Sequence, residues 1–449
     1  MSNMPIDVTS PLTLPCGAVL PNRIAKAGLT EGLANLRNQA TAAHRRLYRR
    51  WSLGGAGLLL TGNVLIDRSC LERPLNVAVD GNLEGDGPDG SGRAALAAWA
   101  RAATEGGNAI WMQINHAGRK SPAAITPEPV APSAIPIGRA VGPGAKRRHA
   151  MPRALRAGEI EALIERYVAA AMVARETGFT GVQFHAAHGY LLAEFLSPLA
   201  NRRTDDWGGS LENRARMLLE VVRRARRALG ADFPIGVKLN AADFQHGGFT
   251  PGEAQQVALW LQAAGVDLLE LSGGSSESYA MLGQPGESDE SALLARSTAE
   301  REAYFVLFAE AMRKVLEMPV MVTGGFRSRR AMDAALVSGA LDVVGLGRPM
   351  CLEPDLPLRL LADRQAVAPA PERDLRGSPA DAPPDALPED VEAALARGPV
   401  AYFAEQMVLM GEGRGPDRGL GVYAAGRRYL VREDAAARAW REARAAEGS

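Results

Sequence analysis

Cysteine is scarce in this sequence: three residues among 449, Cys16, Cys70 and Cys351, stand far apart. No pair has metal-ligand or iron–sulfur spacing, and the odd count argues against a disulfide framework. A reducing cytoplasm is the compartment such usage predicts. Neither sign of charge is in excess. Lys+Arg and Asp+Glu are both 51, so no global field favours nucleic acid or an anionic membrane. No uninterrupted apolar run approaches the roughly 18 residues of a membrane span. The opening residues, MSNMPIDVTSPLTLPCG, lack the basic stretch and apolar run of a secretory leader. Histidine is also sparse, with only 6 in the chain.

What is abundant is apolar sequence, 47% of the chain, enough for a large core. Short apolar runs recur between longer amphipathic segments. Strands are expected at 23–27, 57–61, 109–114, 181–185, 235–239, 268–272, 320–323 and 343–345. Their apolar character suits strands buried on both faces. Helices are expected at 159–177, after Ser210 until Gly230, from Thr250-Pro251-Gly252-Glu253, and at 298–316 and 328–338. Strands alternating with helices in this way predict a (β/α)₈ barrel, because such crossovers force parallel pairing. Residues 119–153 hold 7 prolines and little periodicity, and could cover the barrel mouth as a lid after the third strand. The expected boundaries are a barrel over 1–362, a Pro/Ala-rich linker or surface arm over 363–390 and a helical extension over 391–449. Within the extension, VAYFAEQMVLM fits one amphipathic helix, GEGRGPDRGLG is a loop, and GVYAAGRRYLV is ambiguous.

In such barrels chemistry sits at the C-terminal strand ends. Those ends carry Ala27-Gly28-Leu29-Thr30, Asn63, Gln113, a His185/His188/Tyr190 set, Lys238, Gly324-Gly325 and Gly347-Arg348. Glycine-rich turns after the seventh and eighth strands, with Arg348 beside them, suit a phosphate group. The same glycines could merely turn the chain. His185 and His188 lie three apart, so on a strand they face opposite sides. One turn of helix after Phe184 would bring them together. Three uses remain open for them. They could be satisfied structural histidines, or metal ligands with His116 as a third, or a donor pair for a substrate oxygen with a phenolic acid beside it. The barrel-mouth position favours the third.

The stretches PNRIAKAGLTEG, QINHAGR, GFTGVQFHAAHGYLLAEFLSPLANRRTDDWGGSLENR, GVKLN, MVTGGF and GLGRPM resemble the Old Yellow Enzyme family of FMN-dependent ene-reductases, over about residues 8–362. The resemblance implies FMN in the barrel mouth and NAD(P)H as reductant. His185 and His188 would hold the carbonyl or nitro oxygen of an electron-poor alkene. Tyr190 would protonate Cα after hydride reaches Cβ. Gln113 would meet the flavin pyrimidine edge, with Ala27, Gly28, Thr30 and Asn63 along the flavin and Lys238 beside N1/O2. Gly325, Gly347 and Arg348 would hold the phosphate. Many relatives have proline at the position of Gly28 and arginine at that of Lys238. Separated cysteines point away from the branch that carries an iron–sulfur cluster and a second dinucleotide domain. Two other functions fit the residues: a Schiff-base aldolase using Lys238, and a flavin-binding protein without ene-reductase turnover. The expected partner is a small molecule rather than nucleic acid or membrane. Self-association, the physiological alkene and the preferred nicotinamide are left open.

Overall fold

The structure, a computed structural model, describes residues 6–447 apart from 85, 88–89, 138–148, 273–305 and 374. Eight parallel strands form its centre: β1 (Ile24–Lys26), β2 (Leu58–Leu65), β3 (Ala109–Asn115), β4 (Gly181–Ala186), β5 (Ile235–Asn240), β6 (Leu268–Ser272), β7 (Val320–Thr323) and β8 (Val343–Leu346). Each pairs with the next, and β1 pairs with β8, so the sheet closes into a (β/α)₈ barrel. The expected strand positions hold to within a few residues. β2 runs longest beyond expectation because an irregularity between Leu60 and Asn63 lets it keep pairing with β3.

Helices α1 (Ala42–Ser52), α2 (Gly92–Ala102), α3 (Ala157–Glu176), α4 (Leu211–Leu229), α5 (Pro251–Ala263), α6 (Val306–Arg313), α7 (Arg329–Val337) and α8 (Leu356–Ala362) follow the strands in turn. Their ends obey local chemistry. Ser210 accepts the N–H of Asn213 to start α4, and Gly230 ends it at φ 83°. Thr250 and Glu253 form a reciprocal capping box for α5 with proline at its first position. The expected helix over 298–316 is seen as α6, and its first residues lie outside the described ones.

The N-terminal end of the barrel is plugged. A short hairpin pairs Leu12–Thr13 with Val19–Leu20, and Leu12, Leu14 and Leu20 pack on the inward residues Ala25, Leu58, Leu60, Trp111, Leu268, Met321 and Val343. Trp111 fits because its neighbours lack side chains. A Cβ at Gly181 would lie 2.5 Å from the indole nitrogen, and one at Gly236 would lie 2.8 Å from Cζ3.

Beyond the barrel, α9 (Pro388–Gly411) and α10 (Val422–Glu447) form an antiparallel pair, with α9 against α1. The stretch GVYAAGRRYLV, ambiguous in sequence, is the first half of α10. Gly426 permits the pairing, since a Cβ there would collide with the carbonyl of Ala394. Among the described residues no helix is long and apolar enough to cross a membrane.

Candidate active site

Along a strand, alternate residues share a face. The inward parity of β3 to β7 puts Gln113, Gln183, Lys238, Glu270 and Thr323 in one layer above the plug. All except Thr323 are buried. Register sets Gln183 beside Gln113 and Lys238 beside Glu270. The Lys238 ammonium lies 3.0 Å from Glu270 Oε1. Thr323 donates to the same carboxylate at 2.6 Å, and Gln183 Nε2 donates to its other oxygen at 2.8 Å. Gln113 Nε2 in turn donates to Gln183 Oε1 at 2.6 Å. The β1 side of this layer is built small. A Cβ at Gly28 would fall 2.6 Å from Gln113 Nε2, so glycine is what lets the amide and the β1 backbone approach. Ala27 is buried beside it.

One step outward come the two histidines and the tyrosine. The helical turn expected between His185 and His188 is absent. The chain instead reverses through left-handed backbone at His188 (φ 60°) and Gly189 (φ 72°), before a short helix Leu191–Leu196 begins after Tyr190. That turn converges the side chains. The His185 ring centroid lies 5.0 Å from His188 and 4.9 Å from Tyr190. Lys120 sits 4.2 Å from the Tyr190 ring centroid and donates to the His188 carbonyl at 2.9 Å. His188 is held by Asn240, which accepts its backbone N–H at 3.1 Å, and by Ser272 Oγ, 2.6 Å from its Nε2.

Electrostatics fix the protonation states. Burial, then Lys238 and Lys120, hold His185 well below the ordinary imidazole range. Burial and Lys238 act likewise on His188. His185 Nδ1 accepts the Ala187 N–H at 3.2 Å, which leaves the proton of the neutral ring on Nε2. Burial, then the Glu72 carboxylate, push the Tyr190 phenol well above its usual range. The trio therefore presents a neutral N–H donor beside a protonated phenol.

Thr30 and Asn63 meet on Glu72. Thr30 Oγ1 donates to Glu72 Oε2 at 2.9 Å, and Asn63 Nδ2 donates to it at 2.6 Å. Asn63 Oδ1 is buried without a partner. The neighbouring Arg73 donates to the Thr30 carbonyl at 3.0 Å and pairs with Glu433 of α10 at 2.8 Å, under the ring of Tyr429 at 5.0 Å. The C-terminal pair thus reaches the rim of the mouth.

On the opposite side, Gly324 (φ 110°) and Gly325 (φ 86°) leave β7 in left-handed backbone. β8 runs alongside, with Thr323 opposite Gly345, and leads to Gly347 and an exposed Arg348. The Arg348 guanidinium lies 5.8 Å from the Phe403 ring of α9.

His116, the third ligand a metal would need, accepts the Gly118 N–H through Nδ1 at 3.1 Å. Among the described residues no three His, Cys, Asp or Glu side chains are grouped to hold a metal. The 119–153 excursion runs beside the mouth: Arg119 donates to the carbonyls of Ile135 and Pro136, while residues 138–148 lie outside the described ones. Sequence reasoning missed Gln183, Glu270 and Glu72. The first two carried a usable signal: Gln183 shares inward parity with His185, and Glu270 with Ser272.

Residues 8–366 match the NADH:flavin oxidoreductase / NADH oxidase family. The chain is 35% identical over 370 residues to the NADH-dependent flavin oxidoreductase iliE of Hypocrea jecorina, covering 80% of this chain and 90% of that one. It is 37% identical to a protein of the same name from Neonectria sp., of whose length it spans about half (46%). Among solved structures, the old yellow enzyme homologue from Zymomonas mobilis superposes with a TM-score of 0.65 at 27% identity, covering 81% of this chain and 95% of that one.

Proposed function

The chain belongs to the NADH:flavin oxidoreductase / NADH oxidase family, the family of the old yellow enzymes, and from that premise we propose that it uses NAD(P)H and FMN to reduce electron-poor alkenes. The observation that carries the reading is the His185/His188/Tyr190 trio standing one step above a buried polar layer at the barrel mouth. Family membership as an oxidoreductase removes the aldolase alternative.

The residues present fit a flavin. Gly28 lets the Gln113 amide lie close against the β1 backbone, and the buried Asn63 Oδ1 has no donor. Gly325 leaves β7 in left-handed backbone, and Gly347 precedes an exposed Arg348, whose guanidinium suits bidentate contact with a phosphate. FMN, when bound, supplies the hydride chemistry linking the nicotinamide to the alkene. The protein does the rest. Gln113, with Lys238 beyond it, would face the pyrimidine edge, and Ala27, Gly28, Thr30 and Asn63 would flank the ring.

His185 donates through Nε2 to the alkene's carbonyl or nitro oxygen, with His188 beside it, drawing charge from the double bond. Tyr190 holds a proton that stays on the phenol at neutral pH and is delivered only to a strongly basic carbon. Thr30, whose hydroxyl donates to Glu72, would stand at the flavin edge. The three separated cysteines support a place outside the iron–sulfur branch. In this reading residues 1–362 are the catalytic barrel, 363–390 an arm and 391–449 a helical extension, in a cytoplasmic enzyme acting on a small molecule.

Measuring the two half-reactions anaerobically tests the proposal. The purified protein should be yellow. In Tyr190→Phe, reduction by NAD(P)H should persist while reoxidation by an enone slows by about 10²–10⁴. Nitroalkenes should suffer less, because a nitronate can leave and be protonated by water. Reduced wild-type protein that no enone reoxidises would leave only a flavin-binding protein. A variant that loses reduction but keeps enone reoxidation would remove Tyr190 from the acid role.

A further inference from the structure

Glu270 is fully buried in β6 and lies outside every role assigned above. Its carboxylate is nevertheless the node of the layer beneath the mouth. A carboxylate only accepts hydrogen bonds, so each neighbour must offer it a donor. Lys238 and Thr323 do so at one oxygen, 3.0 and 2.6 Å away, and Gln183 Nε2 does so at the other, 2.8 Å away. The last bond has a consequence down the row. With its NH₂ committed to Glu270, Gln183 can show only its carbonyl oxygen to Gln113. Gln113 must then turn its own NH₂ inward, as it does at 2.6 Å, and keep its carbonyl oxygen for the mouth. An amide has no preferred end of its own. Here a charge two side chains away decides it.

The second consequence concerns charge. Lys238 is the cation of the layer, and the same Glu270 neutralises it. The floor of the mouth is therefore ionic yet carries no net charge across this pair. Two electrons and one proton leave a flavin one unit more negative than its oxidised form. A floor with an uncompensated Lys238 would favour the reduced form. One in which Glu270 offsets Lys238 favours it less.

We propose that Glu270 is a positioning residue that sets both the amide polarity of Gln113 and the net charge of the floor under the flavin, holding the bound cofactor at a lower potential than Lys238 alone would give. The inference rests on the FMN reading above. It needs no contact between Glu270 and the flavin, because the carboxylate acts through Lys238, Gln183 and Gln113.

The test is the midpoint potential of the bound flavin, titrated against reference dyes, together with FMN affinity from fluorescence, in the full chain. Glu270→Gln keeps the volume and removes the charge. Its potential should rise by at least a tenfold change in the two-electron equilibrium, about 30 mV. Removing both charges, in Glu270→Gln with Lys238→Gln, should bring the potential back towards wild type. Gln183→Met cuts the amide chain and leaves the ion pair. FMN should bind at least tenfold more weakly there, with a smaller change in potential. If Glu270→Gln does not fold, Thr323→Val serves. It strips one donor from the carboxylate and should lower the potential. Wild-type potentials in Glu270→Gln, or in Thr323→Val where that variant stands in, would overturn the proposal while leaving the FMN reading intact. A wild-type protein that binds no FMN would overturn both.

Discussion

The wall inside the barrel and the collar outside it solve the problem of holding a side chain differently. Inside, Gln113, Gln183, Lys238, Glu270 and Thr323 come from successive strands, and most of the bonds joining them are to the next strand over. Register does the positioning, so each side chain has one place to be. In the collar, α9, α10 and the loop between them reach the barrel through long arginine contacts: Arg73 to Glu433, Arg348 over Phe403, and the loop's Arg418 to Glu353 at 2.6 Å. One tryptophan fixes it. Trp440 is 4% exposed among Leu65, Cys70, Leu71, Ala78, Ala117 and Ile125, and its indole N–H donates to Asn38 at 2.7 Å. The difference teaches that strand register holds the wall while side-chain reach holds the collar, so damage to each should be separable.

Trp440→Ala is the strongest way to try to break that separation. Losing a buried indole with its hydrogen bond should cost about 3–5 kcal/mol of stability, read as a fall in the denaturant midpoint. Reduction of bound flavin by NAD(P)H should persist below the transition. If hydride chemistry vanishes while the fold stays intact, the collar is part of the wall.

Acid should separate the two regions from the other direction. Burial holds the His116 imidazole, at the end of β3, down to about 4, against the pull of Asp67. The unfolded chain takes up a proton near ~6.5 that the folded one refuses until far lower pH, so stability is complete above about 6.5 and falls with pH below it. The slope is at most about 1.4 kcal/mol per pH unit for this ring. The rings held down in this way, His116, His185 and His188, all stand at barrel strand ends, so the loss they cause belongs to the barrel. Denaturant midpoints measured from pH 7 to 5 should slope downward. His116→Gln should make the profile shallower by that ring's share and leave the part carried by His185 and His188, which burial also holds down. An unchanged slope would mean that His116 carries none of it.

The effect with least bearing on folding is expected at Arg348, the residue shared by both regions. Arg348→Ala should weaken FMN binding by about 1.5–3 kcal/mol, one charge-assisted contact, and leave the unfolding midpoint of the apoprotein close to wild type. If FMN affinity is unmoved, the phosphate is held elsewhere.

The barrel was legible because a parallel strand buried on both faces is an apolar run of few residues, and eight of those recur between capped helices. Glycines and polar residues at the strand ends were legible for the same reason, since the position of a strand end follows from the run before it. Glu270 and Gln183 were not, although they stand inside LLELS and GVQFH. A single polar residue within an apolar run reads as interruption until the inward parity of the neighbouring strand ends is compared. His188 illustrates a second limit. The sequence placed it near His185, but a non-glycine residue with φ 60° is a backbone choice made by its bonds to Asn240, Ser272 and Lys120, all remote in sequence. The collar was least legible. Tyr429, Glu433 and Trp440 share one face of α10, yet nothing near them in sequence names Arg73 or Asn38 as partners.

Those two partners have a bearing on time. Arg73 and Glu433 are 360 residues apart, and Asn38 and Trp440 are 402 apart. At the usual pace of synthesis, about 5–20 residues per second, roughly 20–70 s separate the emergence of Arg73 from that of Glu433. Through that interval the apolar seat of Trp440 and the rim beside Thr30 stand uncovered on the nascent chain. The last helix therefore ends a period of exposure, and the growing protein is most open to aggregation before α10 has docked.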